Sequence, residues 1–150
     1  MTAAASPGGI GAASASTYRV LLAEDNEINQ IVASEVLTKS GYRCEVVDNG
    51  QKAVAAVQRE RFDIVLMDCQ MPLLDGFDAT RLIREQEAAQ GAGCRRLPII
   101  ALTANAMKGD RERCLEAGMD AYASKPINPA ELLGTIERLL HAGLDAAKAA

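Results

Sequence analysis

The chain has 150 residues, 49% hydrophobic and 24% charged, with 16 basic against 20 acidic side chains, a length that fits one globular domain. A net charge of -4 and an aromatic content of 3% without tryptophan argue against a nucleic-acid binder, which needs a basic stripe or stacking platforms. No apolar run approaches the roughly 20 residues that span a bilayer, so no membrane contact is expected of this domain.

Residues 1–17 carry no charged side chain and are almost all Ala, Gly, Ser, Thr or Pro. Without a basic start or a continuous apolar stretch they are no signal peptide, and they read as a flexible tail or linker. From there the pattern alternates. Arg19 to Ala23 is a short apolar strand ending at Glu24-Asp25, and a helix from about Glu27 to Ser40 is closed by Gly41. Tyr42 to Val47 reads as a second strand, and Asn49 can cap a helix from about Gln51 to Arg59. Phe62 to Met67 is a third strand ending at Asp68. Pro72 and Gly76 mark a loop before a helix from about Phe77 to Ala89. Leu97 to Leu102 is a fourth strand ending at Thr103, and Asn105 opens a helix to about Ala117. Ala121 to Ser124 is a fifth strand before Lys125-Pro126, and Pro129 starts a last helix reaching about Leu140. Residues 18–141 thus form the folded domain, and 142–150 read as a C-terminal fray.

Five strands alternating with five helices indicate an α/β domain whose parallel sheet is buried on both faces. Right-handed crossovers leave few topologies, and the strand order 2-1-3-4-5 of flavodoxin-like, doubly wound folds is the one expected. In such sheets ligands sit beyond the carboxyl ends of the strands, where strand order reverses. That crevice lies between strands one and three, which end at Glu24, Asp25 and Asp68. Thr103 and Lys125 end strands four and five nearby.

Three carboxylates at one crevice repel each other and raise at least one pKa unless a cation enters. Lys125 cannot neutralise all three, and an all-oxygen donor set suits Mg2+ rather than zinc. A divalent ion, an ammonium and a hydroxyl beside an exposed carboxylate form a site for a phosphoryl group. The carboxylate can itself be the nucleophile and give an acyl phosphate. Read singly, Glu24-Asp25 could instead be a helix cap and Lys125 a surface cation.

The one histidine, His141, rules out multi-histidine metal sites and reads as a helix-end or surface residue. Cys44, Cys69, Cys94 and Cys114 show no C-x-x-C spacing. They suggest reduced, mostly packed thiols in a cytoplasmic protein.

Four segments carry a resemblance to a known family. They are Leu21-Leu22-Ala23-Glu24-Asp25-Asn26, Leu66-Met67-Asp68-Cys69-Gln70-Met71-Pro72 with Asp75-Gly76, Ala101-Leu102-Thr103-Ala104-Asn105, and Ser124-Lys125-Pro126-Ile127. In this order, at matching strand ends, the chain from about Tyr18 to Leu140 resembles the response-regulator receiver domains of two-component signalling. The resemblance implies a signalling module, not an enzyme with a separate substrate, that catalyses its own phosphorylation and dephosphorylation. Asp68 would be the phosphoacceptor, taking phosphorus from a phosphohistidine on a histidine kinase or a histidine-containing phosphotransfer domain. Asp25, Asp68 and the Gln70 carbonyl would hold Mg2+, with Glu24 acting mostly through water. The amides of Gln70 and Ala104 would join Thr103 and Lys125 around the phosphoryl oxygens. Thr103 and Tyr122 look like the switch pair, the Lys125-Pro126 bond is expected to be cis, and Gln70 and Asn105 stand where the family tunes phosphate lifetime.

The first helix adds a partner surface. On a wheel Asn29, Val32, Ala33, Val36 and Leu37 face the sheet, while Ile28 and Ile31 fall outside that face. Exposed isoleucines beside the acidic site, with Pro126, suit docking of a partner helix. Asp25-Asn26-Glu27-Ile28-Asn29-Gln30 and Thr103 to Met107 look like receivers attached to hybrid sensor kinases. No output module is expected after the last helix, so the chain reads as a stand-alone receiver or part of a hybrid kinase. Lys108, Arg111 and Arg113 read as a solvated face, and the fourth and fifth helices offer faces for a weak homodimer. Two other readings remain: a receiver-like module that binds without phosphorylation, and a Mg2+-dependent aspartyl-phosphate hydrolase. The hydrolase requires a second Asp two positions after the nucleophile, where this chain has Gln70, and a nucleophile on the first strand.

Overall fold

The computed structural model describes residues 18–91, 96–104 and 108–149. In chain order the elements are β1 (Arg19–Ala23), α1 (Glu27–Lys39), β2 (Arg43–Val47), α2 (Gly50–Arg59), β3 (Ile64–Asp68), α3 (Gly76–Gln90), β4 (Ile99–Thr103), α4 (Lys108–Ala117), β5 (Ala121–Ser124) and α5 (Pro129–Ala149). All four strand pairings are parallel and the sheet order is β2-β1-β3-β4-β5, as the alternating pattern predicts.

The strands read as apolar runs because both faces are covered. Leu21, Val65, Met67, Ile99 and Ala101 point to one core, filled from the helices by Ala53, Phe77, Ile83 and Cys114. Val20, Leu22, Ile64, Leu66, Ile100 and Leu102 point to the other, filled by Ala33, Leu37, Leu132 and Ile136. So α2, α3 and α4 cover one face, and α1 and α5 the other. Among the described residues no helix is long and apolar enough to cross a membrane.

Helix ends follow local chemistry. The side chains of Asn26, Asn49 and Asp75 accept hydrogen bonds from the amides of Asn29, Lys52 and Asp78, satisfying N-terminal donors that have no partner within the helix. Gly41, at φ 92°, ends α1 in the left-handed region that glycine adopts without strain.

One boundary and one helix face differ from the sequence reading. The last helix runs to Ala149 rather than stopping near Leu140, because its Ala-rich end is made of strong helix formers. The opening of the fourth helix at Asn105, and the tail of residues 1–17, lie outside the described residues. On α1 only Ala33 and Leu37 are fully buried, while Val32, expected to face the sheet, is 41% exposed. The first turns of α1 overhang the sheet end, so the wheel's inward face has nothing to pack on there.

At Gly76 a side chain would overlap the Asp68 carbonyl oxygen, which is backbone and cannot swing away. Gly134, inside α5, has open space around the added atom. Gly76→Ala is expected to lower the urea midpoint by the equivalent of about 1–3 kcal/mol, whereas Gly134→Ala raises it by up to about 1 kcal/mol. Equilibrium urea unfolding measures both.

Candidate functional site

Strand register assembles the site. Ala23 pairs with Met67, so Glu24 and Asp68 leave adjacent strands side by side. Asp68 pairs with Leu102 and Thr103 with Ser124, which places Thr103 and Lys125 along the same edge. The N-cap of α1 is Asn26, so neither Glu24 nor Asp25 is needed there, and the capping explanation for the pair falls away.

Glu24 and Asp68 are 1% and 4% exposed, Thr103 is also buried, and Asp25 is exposed. The carboxylates of Glu24, Asp25 and Asp68 each offer an oxygen within 4.8 Å of the others. Lys125 Nζ lies 2.8 Å from Glu24 Oε1 and 3.0 Å from Asp68 Oδ2. The Gln70 amide donates to Asp68 Oδ1 at 3.2 Å and the Asn26 amide to Glu24 Oε2 at 3.2 Å. Glu24 Oε1 contacts the ammonium as an ion pair yet takes no aligned hydrogen bond, and it is sealed from solvent. A buried carboxylate oxygen without an aligned donor is costly. It suits a hard cation or the water such a cation carries, and Mg2+ fits this all-oxygen donor set.

The charges are strained in the way three carboxylates and one ammonium dictate. Burial, then the neighbouring Glu24, push the Asp68 carboxyl up to about 7, against the pull of Lys125 and the Gln70 amide. Burial works to raise Glu24 too, but Lys125, the shared hydrogen bond with Asp68 and the Asn26 amide outweigh it and hold Glu24 below the usual range. For Lys125 burial pulls downward, and the two carboxylates overcome it and raise the ammonium. The direction of the shift favours a proton on Asp68, which a divalent cation would displace.

Seven of the residues expected by sequence line one cleft of about 570 Å³: Glu24, Asp25, Asp68, Gln70, Thr103, Ala104 and Lys125. The Lys125-Pro126 bond is cis. Tyr122 stands outside the cleft wall, half-buried against the core that α3 and α4 cover. Ile28 and Ile31 are 71% and 61% exposed, and Pro126 is exposed. His141 is exposed on α5, and Asn105 lies outside the described residues.

The sequence reading missed the ring contacts of two arginines and misplaced an asparagine. Arg113 is exposed, as expected of a solvated face, and it also lines the cleft with its guanidinium 4.3 Å from the centre of the Phe77 ring. Arg111, assigned to the same face, lies 5.1 Å over the Tyr122 ring. Such stacking attracts a cation to the ring face, and no spacing in the sequence marks it. Asn29, expected to face the sheet, borders the cleft.

A family model described as the response regulator receiver domain matches residues 20–137. Hybrid signal transduction histidine kinase I of Dictyostelium discoideum is 46% identical over 116 residues, 74% of this chain and 6% of that protein. The first curated relatives are all much longer, and the chain spans between 6% and 16% of their length. Among solved structures, the receiver domain of sensor histidine kinase PA1611 from Pseudomonas aeruginosa PAO1 is 49% identical with a TM-score of 0.74. The match covers 83% of this chain and 98% of that one, which carries a magnesium ion coordinated in the active site cleft. A co-crystal structure of the Saccharomyces cerevisiae histidine phosphotransfer protein Ypd1 with the receiver domain of Ssk1 matches at 34% identity and a TM-score of 0.74. That match covers 79% of this chain and 86% of the other.

The raised Asp68 carboxyl makes metal-free stability depend on pH. Its folded pKa exceeds its unfolded value of about 4, so its contribution is complete below that value and is lost as pH rises through about 7. Glu24, shifted downward, acts with the opposite sign and only in acid. In thermal melts with chelator, the midpoint is expected to fall by about 5 °C from pH 5 to pH 8. Asp68→Asn or added Mg2+ should remove most of that slope.

Proposed function

The chain belongs to the response regulator receiver domain family of two-component signalling, and from that premise we propose that Asp68 accepts a phosphoryl group from a partner's phosphohistidine. The observation that carries the reading is the Asp68 carboxylate itself. It is buried at the end of β3, held by Lys125 Nζ at 3.0 Å and the Gln70 amide at 3.2 Å, inside the three-carboxylate cluster. Asp68 attacks phosphorus in line, an O–P bond forms, the P–N bond to the imidazole breaks, and the leaving imidazole takes up a proton. The only histidine of these residues is exposed on α5, so the donor imidazole comes from outside them.

Asp25, Asp68 and the Gln70 carbonyl would hold Mg2+, with Glu24 acting through a water. When bound, the ion offsets the charge that the acceptor carboxylate and the phosphoryl oxygens bring together. Lys125 pairs with a phosphoryl oxygen, and the Gln70 and Ala104 amides with the Thr103 hydroxyl donate to the others. Once Thr103 is engaged, Tyr122 turns inward from beneath Arg111 and the surface of α4 and β5 changes.

Ile28, Ile31 and Pro126 form the docking surface for a histidine kinase or a histidine-containing phosphotransfer domain. The exposure of two isoleucines on a helix whose first turns overhang the cleft supports this. Similarity to hybrid kinases that the chain spans only in small part supports a place within such a kinase.

Acetyl phosphate with Mg2+ is expected to add one phosphoryl group to the wild-type protein in intact-mass measurement, and none to Asp68→Ala. Wild type that stays unmodified at saturating donor and fails to bind beryllofluoride would sink the reading in favour of binding without phosphorylation. Modification that persists in Asp68→Ala would move the acceptor elsewhere. Ile28→Ser/Ile31→Ser should slow transfer from phosphohistidine proteins about tenfold, the loss expected for about 1.4 kcal/mol of docking, and leave acetyl phosphate unaffected.

A further inference from the structure

The sulfur atoms of Cys69 and Cys114 lie 4.0 Å apart, although 45 positions separate them in the chain. Cys69 directly follows Asp68 and forms part of the cleft wall. Its backbone is pinned, the amide donating to Leu102 at 3.0 Å and the carbonyl accepting from Gly76 at 3.1 Å. Cys114 is the buried residue near the middle of α4. We propose that Cys69 and Cys114 form a reversible disulfide, an oxidative modification site that fastens α4 to the loop that follows Asp68.

The chemistry balances with a hydroperoxide as oxidant. Cys69 Sγ attacks one peroxide oxygen, an S–O bond forms, the O–O bond breaks, and the thiol proton leaves with the departing oxygen as water or an alcohol. Cys114 Sγ then displaces hydroxide from the sulfenic acid, and its proton completes a second water as the S–S bond forms. Two electrons pass from the two thiols to the peroxide. The sulfurs close from 4.0 Å to a bond of about 2.05 Å, which side-chain rotation and a small shift of α4 supply. Cys69 is 5% exposed, and the oxidant would reach it from the cleft that it lines. Cys44 is more accessible than either, but burial, then Glu45, push its thiol up to about 11, which holds it in the unreactive form.

Hydrogen peroxide at neutral pH is expected to remove two hydrogen masses from the intact protein. Non-reducing tryptic digestion should then link the peptides of residues 62–81 and 114–138. The link should survive in Cys44→Ser/Cys94→Ser, disappear in Cys114→Ala, and reverse with dithiothreitol. Oxidation confined to Cys44 or Cys94, a linkage between two copies, or both thiols still alkylated after denaturation would overturn the proposal. In the linked form, acetyl phosphate should modify the protein several-fold more slowly, with dithiothreitol restoring the rate. This second expectation rests on Asp68 as acceptor, whereas the linked peptides do not. A link that leaves the rate unchanged would overturn the fastening of α4 while the modification stands.

Discussion

One ammonium between two buried carboxylates is the contact on which the rest of this structure turns. Lys125 reaches both Glu24 and Asp68, and neither acid is accessible enough for water to share the charge. A single cation cannot balance two buried anions. In the metal-free state burial and Glu24 raise the Asp68 carboxyl, which favours its protonated, less nucleophilic form. A divalent cation resolves the conflict from the open side, where Asp25 stands exposed and contributes its charge without a burial cost. Binding of the cation and activation of the nucleophile are therefore the same electrostatic event. An uncompensated charge here is tolerable because the apolar sheet beneath holds the strand ends where they are.

That sheet positions the chemistry by register rather than by loops. Two consecutive pairings bring β1, β3 and β4 to a common edge, and the next adds β5. Side chains at the carboxyl ends of four strands then converge without a long connection. The helices are capped by Asn26, Asn49 and Asp75, so neither Glu24 nor Asp25 is spent on capping. Gly76 is required for a related reason: the start of α3 packs against the carbonyl of Asp68, and a side chain would drive the nucleophile's backbone out of line.

Much of this was legible because it depends on order along the chain. Five apolar runs alternating with five helical patterns specify a parallel sheet. The residue just after each run is then a strand-end residue, which is how Glu24, Asp25, Asp68, Thr103 and Lys125 could be assembled without coordinates. What escaped depends on where one element stops covering another. The wheel of α1 assumed a sheet beneath its whole length, so Val32 and Asn29 were assigned inward, yet the first turns lie over the cleft. Arg113 on Phe77 and Cys114 beside Cys69 join segments far apart in sequence, and no period of 2 or 3.6 encodes such pairs.

Those missed contacts share an element. Of the side chains described on α4, only Cys114 and Ala117 are buried, so the helix rests on two small groups where α3 is anchored by Phe77, Ala79 and Ile83. Among the described residues its other ties include the guanidinium of Arg111 on Tyr122, that of Arg113 on Phe77, and the thiol of Cys114 against Cys69. Each ends on a residue lining the site or packed beside it. A helix with so little buried area belongs at the low-stability end of the fold, and small changes at the cleft can reposition it without disturbing either core. An inward turn of Tyr122 removes the platform of Arg111, and a disulfide would replace a loose contact with a covalent one. Opposite effects on the same helix thus arise from the same few ångströms of wall between the carboxylates and α4.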